Sequence, residues 1–319
     1  MKRLLLKAAG VAAAGALLKA CGGGGGGGSS PPPVGSNSLL AVMQADSELS
    51  LFASAVTRAN LGDRYGTAGG SMTLFAADNA AMNQLGSRLG FGDGNGLVNG
   101  LSSTEWAGIL NFSTLPQALS RDTLNGYARD RTTPDTLYSF ETWPNARQLI
   151  FAVDAGVYTI WDGVGRTSIA ITRGDIGASN GVLHVVTAPL LPRGLLTISQ
   201  MLRASVDSFG SFVAQMDSSV IGELGNAGSS FTVYAPSFVQ VPSLTTAGVR
   251  HHITPGRLDG DNFSTRTLTP LAGQQLSVRH STSSTTLQNV GGGLAVAIVD
   301  VDFWASNGVI HSTNAVIPL

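Results

Sequence analysis

Apolar residues recur at three- and four-residue steps in two windows of the chain. In the later one they are Ile198, Leu202, Val206, Phe209, Val213 and Met216; in the earlier one, Leu39, Val42, Leu49, Phe52 and Val56. That period predicts amphipathic helices, and Asp46 or Ser47 stands where a side chain would cap a helix start. Each window leads to a short β-prone run ending at a polar turn residue, TLFAAD at 73–78 and TVYAPS at 232–237, 159 residues apart. Further short β-prone runs follow at Leu149–Val153, Val157–Trp161 and Ser168–Thr172, and again at Leu276–His280 and Leu294–Phe303, with the glycines at 291–293 as a hairpin turn. Alternation breaks down in LAVAIVDVDF, where Leu294, Val296 and Ile298 share parity with Asp300 and Asp302. Either a bulge flips the register there, or both faces of the strand are covered before the carboxylates emerge.

The two halves are copies of one pattern. The heptapeptide A-S-N-G-V-(L/I)-H occurs at 178–184 and again at 305–311, an offset of 127. The offset shrinks from 159 at the first strand to 139 at Pro116 and Pro255, then to 127. The second copy therefore lacks about 20 residues between its first strand and its proline, and about 12 more before ASNG. In the first copy the longer stretch contains a Leu97–Leu110 segment of helical character. The helical layer of the second copy is expected to be truncated.

The order of helix, T-(L/V)-(F/Y)-A-x-(D/S), a proline, then a β region ending in D-x-x-A-S-N-G-V-(L/I)-H resembles the fasciclin domain, twice over. The copies cover 37–193 and 195–319. The resemblance implies an α+β fold, a wedge-shaped β-sandwich with helices packed around it in each domain. It also implies adhesion at or outside the cell surface, with no cofactor and no catalysis. The pair His251-His252 stands where that family often has a Tyr-His pair linked to adhesion in some members; the first copy has Phe112-Ser113 instead.

Several strings invite a chemical reading. Gly177-Ala178-Ser179-Asn180-Gly181 fits the G-x-S-x-G nucleophile elbow, but the elbow needs a helix to follow it. Here VLHVV reads as a strand, and the second copy has Trp304 in place of the first glycine. Asn180, Gly181 and His184, with Asn307, Gly308 and His311, are therefore expected to be structural: a turn between strands, with each histidine tied to backbone groups. Arg173-Gly174-Asp175 has no counterpart in the second copy and is read as chance. No His, Asp or Glu spacing completes a metal site. On a strand, His251 and His252 would face opposite sides, one inward and one toward a partner. Phe112, and the loop aromatics Trp143, Tyr138 and Tyr127 of the first-copy insertion, complete the candidate contact residues.

Composition adds the compartment. Formal net charge is −1, and no basic run follows the first seven residues, which excludes an electrostatic case for nucleic acid. Residues 1–20 read as a signal peptide: a basic start, then an apolar run of about 11 residues, too short to cross a bilayer of roughly 30 Å. Leu18-Lys19-Ala20-Cys21 resembles a bacterial lipobox, making Cys21, the chain's only cysteine, a lipid attachment point. Residues 21–36, mostly Gly, Ser and Pro, form a tether reaching roughly 20 Å. The expected protein is a cell-envelope lipoprotein of the outer membrane, on its surface or periplasmic face. It would make protein or matrix contacts; a periplasmic small-ligand binder or hydrolase on the same fold is the alternative.

Overall fold

The computed structural model describes residues 33–139, 148–154, 157–164 and 169–319. The signal segment, Cys21 and Trp143 lie outside the described residues. In the first copy, α1 (Leu39–Ala45) and α2 (Ser50–Arg58) flank a 3-10 turn. The expected cap is present: the Asp46 carboxylate accepts the Glu48 N–H, while Ser38 caps α1. Next come α3 (Gly62–Gly66), β1 (Met72–Ala77) and a helical layer of α4 (Asn79–Leu89), α5 (Gly94–Gly100) and α6 (Ser103–Phe112). Asp78, the polar end of TLFAAD, caps α4, and Ser102 with Glu105 forms a capping box on α6. The copy continues through β2 (Thr114–Leu115), α7 (Arg121–Asp130), β3 (Ile150–Asp154), β4 (Val157–Trp161), β5 (Ile171–Ala178) and β6 (Gly181–Val186).

The second copy repeats the plan in shorter form. It opens with α8 (Ile198–Ala204), α9 (Val206–Val213) and α10 (Ser218–Gly225), so the predicted single helix is broken at Ser205. After β7 (Phe231–Pro236) only α11 (Thr246–Arg250) stands where the first copy has α4, α5 and α6, as the shrinking offset predicts. Then follow β8 (Ile253–Pro255), β9 (Arg266–Leu268), β10 (Leu276–His280), β11 (Thr285–Asn289), β12 (Val296–Ala305) and β13 (Gly308–Thr313). Strands β9 and β11 escaped the sequence reading, because neither is apolar enough to stand out. The glycines at 291–293 do turn the chain, from β11 into β12.

Sheet topology is shared. The order β2-β1-β6-β5 in the first copy matches β8-β7-β13-β12 in the second, with β1 parallel to β6 and β7 parallel to β13. In the second copy the sheet runs on through β11, β10 and β9, making seven strands. Its far end folds back over the near end: Tyr234 of β7 packs in one cluster with Leu276, Val278, Leu287 and Val296. This closure supplies the α+β sandwich. In the first copy the antiparallel pair β3–β4 takes the covering place, and Phe151 of β3 lies 6.1 Å from Phe75 of β1.

The parity conflict in LAVAIVDVDF resolves as bulges. Register shifts separate Ile298 from Asp300 and Asp300 from Phe303 on β12, and the same irregularity recurs on β5 between Arg173 and Ile176. Asp175 and Asp302 both sit at the bulge in left-handed backbone, φ 58° and 66°.

The folded body starts earlier than composition predicts. Residues 33–37 lie along the β5–β6 turn, where Ser179 N–H donates to Asn37 O at 2.8 Å. Gly35 and Gly177 approach so closely that a Cβ on either would run into backbone of the other segment. The two copies also share one apolar core. Across their junction Arg88 meets Asp207 and the Ala204 carbonyl, and Ser205 Oγ donates to Val164 O. Among the described residues no single helix is long and apolar enough to cross a membrane.

Candidate functional site

The repeated signature residues converge on one place in each copy, the antiparallel hairpin β5–β6 or β12–β13. A two-residue turn, Ser179-Asn180 or Ser306-Asn307, joins the strands. Gly181 and Gly308 begin the return strand at φ 156° and 147°, where a Cβ would strike Met72 or Phe231 backbone. Glycine is required there by conformation and by space. Asn180 is fully buried; its Oδ1 accepts the Leu39 N–H at 2.8 Å and its Nδ2 donates to Tyr65 O at 3.0 Å. Asn307 does the same to Ile198 N–H at 2.8 Å and Leu224 O at 2.9 Å, with a further bond to Asn226 O. Each asparagine thus pins the first and third helices of its copy to the hairpin. Both amides satisfy helix-terminal backbone groups that burial would otherwise leave unpaired.

His184 and His311 form a second clamp. His184 Nε2 donates to Leu119 O at 3.0 Å while its Nδ1 accepts the Asp175 N–H at 3.2 Å. His311 repeats this with Leu258 O at 2.7 Å and Asp302 N–H at 3.3 Å. The bulge aspartates close the loop: Asp175 Oδ1 accepts Arg121 N–H, and Asp302 Oδ1 accepts Gly260 N–H. Thr73 and Thr232, the first residues of the strand motifs, bond the same connecting segment through Gln117 O and Leu119 N–H, and through Gly256 O and Leu258 N–H. Phe75 and Tyr234 stack on the two imidazoles. Burial pushes the His184 imidazole below its ordinary range and the His311 imidazole down to about 4. Both rings are neutral at pH 7, with the Nε2–H tautomer that the hydrogen bonds require.

This geometry holds the serine of G-x-S-x-G in a strand-to-strand turn, and it holds Arg173-Gly174-Asp175 in the bulge. Arg173 pairs with Asp46 at 2.8 Å and Glu48 at 3.3 Å. The tripeptide is the first copy's clamp, matched in the second by Val301-Asp302. The sequence signal for it was the broken parity of the second copy, which applies to both.

The contact candidates sit elsewhere than expected. His251 and His252 lie at the end of α11 rather than on a strand, and both are fully buried, so neither meets solvent. His252 Nδ1 donates to Tyr234 O at 2.7 Å and its Nε2 accepts the Ile317 N–H at 3.2 Å; burial pushes it down to about 4. His251 bonds Ala272 O at 3.0 Å and Asn289 Oδ1 at 2.9 Å. The pair fastens the C-terminal segment to the second copy. Phe112 is likewise buried, edge-on to Tyr138. Tyr138 is buried too, its hydroxyl donating to Arg193 O at 2.9 Å in the connection between copies, and burial pushes it up to about 12. Tyr127 is on α7, stacked on Phe151 and only half-buried. Among the described residues no three His, Cys, Asp or Glu side chains group as metal ligands.

Comparison with known proteins matches a family model to the chain in two places. Mouse stabilin-1 is 32% identical over 173 residues, which is 46% of this chain and 6% of that protein's length. The solved structure of a FAS1 domain pair from the insect cell adhesion molecule fasciclin I covers 88% of this chain and 96% of its own, with 14% identity and a TM-score of 0.38. The model of the fasciclin domain matches residues 47–192 and again 207–318, so the chain belongs to the fasciclin domain family as a tandem pair.

Proposed function

We propose that this protein is a non-enzymatic lipoprotein of the bacterial cell envelope that makes adhesive, matrix or protein contacts through its two fasciclin domains. Residues 1–20 direct export, lipidated Cys21 and the segment to residue 36 attach it to the outer membrane, and the domains span 37–193 and 195–319. Fasciclin domains are associated with cell adhesion and protein–protein contact. The observation that carries the reading is the fate of the signature side chains. Asn180, His184, Asp175 and Thr73, and their four counterparts, are committed to internal backbone bonds. Function then falls to the surfaces of the two joined domains. Intact mass spectrometry of the membrane fraction, paired with protease shaving of whole cells, tests this. The expected result is an acylated N-terminus at Cys21 and cleavage of the domains on intact cells. An unmodified Cys21 removes the anchor; domains protected until the envelope is opened put the protein on the periplasmic face.

A further inference from the structure

One face of the first domain has no counterpart in the second. Between the C-terminal half of α7 and strand β3 lies a hollow of about 460 Å³, lined by Ala128, Arg129, Arg131, Ile150, Phe151 and Val153 among others. Consecutive residues of β3 line it, so the hollow runs along the strand's edge and not over one face. Among the described residues β3 pairs with β4 alone; the chain just before it bonds residues 134–135, Leu149 N–H donating to Pro134 O at 3.2 Å, so the edge free of described partners runs along Phe151–Val153. Ile150 is 42% and Val153 49% exposed, and Trp161, opposite Ile150 on β4, is 39% exposed. Single exposed apolar residues are ordinary, but Ile150 and Trp161 lie directly opposite each other and share one face of the hairpin, while Val153 is exposed on the other.

The rim of the hollow is cationic. Arg129 and Arg131 are exposed and form no ion pair with any described residue. The acids of α7, Asp122 and Asp130, line a neighbouring hollow that shares Arg129 and Thr132 with this one. Arg131 ends α7 in left-handed backbone, φ 54°, where glycine or asparagine is the usual residue. A cation near a helix C-terminus favours the helix dipole, but that benefit does not require a strained conformation. The second domain has only the 3-10 turn Gly260–Asn262 in this region, and its Arg257 is paired with Asp259. Among the described residues the strain, the cations and the free strand edge occur together in the first domain and not in the second.

We infer that this groove receives an extended acidic segment of a partner protein. Its backbone lies along the Phe151–Val153 edge and its apolar side chains reach exposed Ile150 and Val153 on the two faces of that edge, while its flanking carboxylates meet the guanidinium groups of Arg129 and Arg131. Arginine forks suit carboxylates, and an open strand edge suits an extended chain. The inference rests on the reading of this chain as a contact-making protein, and it names where and with what chemistry contact is made.

The test is fluorescence anisotropy with the full chain and two labelled octapeptides, alternating Glu-Leu and alternating Lys-Leu. The Glu-Leu peptide is expected to bind at least tenfold more tightly. Combining Arg129→Glu with Arg131→Glu is expected to weaken it at least tenfold and to reverse the preference. Arg131→Gly relieves the backbone strain, so that variant is expected to melt higher than the parent while binding the acidic peptide less well, which separates binding from folding. Equal binding of the two peptides, no binding of either, or indifference to all three substitutions overturns the proposal. So does arginine-dependent binding to phosphatidylglycerol vesicles without peptide binding, which would assign the face to lipid. Cell adhesion that survives the charge reversal sinks the groove and leaves the contact reading standing; absence of adhesion in the parent sinks that reading itself.

Discussion

Asp302 donates its backbone N–H to Nδ1 of His311 at 3.3 Å while its carboxylate accepts the Gly260 N–H at 2.7 Å. Asp175 and His184 repeat the relationship in the first domain. A bulge, a histidine and a connecting segment are thereby fastened in one closed loop of hydrogen bonds. The family signature reads as a set of joints, each made between elements far apart in sequence. Joints of this kind suit a domain that must transmit force or hold a shape, because breaking one leaves several buried polar groups unpaired at once.

The asparagines of the two turns are the clearest joints to break. Asn307→Ala removes two buried bonds and one half-buried one, and strands the Ile198 N–H and the Leu224 carbonyl. At about 1–3 kcal/mol for each buried group left unpaired, the loss is expected to be about 3 kcal/mol or more. Asn180→Ala removes two such bonds and is expected to cost somewhat less. Asn307→Asp keeps the acceptor but sets a buried carboxylate oxygen against the Leu224 and Asn226 carbonyls, so it is expected to cost at least as much as alanine. Urea titration of the purified chain followed by circular dichroism measures all three. Equal stability of Asn307→Ala and wild type would show that the turn is not a joint.

Acid is expected to destabilise the protein in a defined window. His252 and His311 are held down to about 4 by burial, against an ordinary value of 6.5. The unfolded chain therefore takes up protons below about pH 6.5 that the folded chain refuses until about pH 4. Stability present in full above that window is lost as the pH falls through it, by several kcal/mol for the pair. The bonding explains the refusal: each ring has one nitrogen donating to a carbonyl and the other accepting a backbone N–H. Protonation would set two donors against each other. Asp302 works in the opposite sense, since burial, then Asp259 and Asp261, raise its carboxyl. Urea midpoints at pH 7 and pH 4.5 decide the matter; unchanged midpoints would mean that the histidines are not the acid-sensitive groups.

The two domains are expected to unfold together. Arg88 of α4 bonds the Ala204 carbonyl and pairs with Asp207 at 3.7 Å. Tyr138 donates to Arg193 O, and Gly194 N–H donates to Trp304 O, so the connection itself is bonded on both sides. The second domain has lost most of its own helical layer, and α8 packs on α4 of its neighbour through the shared core. Calorimetry of the full chain should give one transition, with the separated segment 195–319 melting lower. Two well-resolved transitions in the full chain would show that the junction couples nothing.

The sequence made the duplication, the helical layer and its truncation legible, because the offsets of TLFAAD, Pro116 and ASNG report insertions directly. It also singled out Asn180, His184 and their counterparts, because a residue repeated in both copies points to what both copies share, and each bonds internal backbone groups. It misplaced His251 and His252. Treating them as strand residues assigned them alternating faces, whereas the chain is still turning out of α11 there and buries both. Strands β9 and β11 were missed for a related reason: TTLQN and RTL carry little apolar signal, and only pairing with β10 and β12 makes them strands. The arginine-rimmed groove had no sequence signal at all, since Arg131 is remarkable only for its backbone angle.

Position 177 offers the sharpest contrast between the copies. In the second domain the equivalent residue is Trp304, whose ring lies 5.9 Å from the Arg193 guanidinium of its leading segment and 5.6 Å from that of Arg257. In the first domain the residue is Gly177, and the backbone of Pro33–Gly35 lies where a side chain would be. A methyl group there would sit 2.7 Å from Pro33 O and 3.1 Å from Gly35 N, contacts that backbone cannot relieve by a rotamer change. Gly177→Ala is therefore expected to detach residues 33–37 from the hairpin. The Ser179 N–H, bonded to Asn37 O, would lose its partner. Its amide exchange should quicken at least tenfold, and proteases should reach residues 33–37, while the core is spared and global stability falls by no more than about 1 kcal/mol. Unchanged exchange at Ser179 would mean that the leading segment does not depend on the missing side chain.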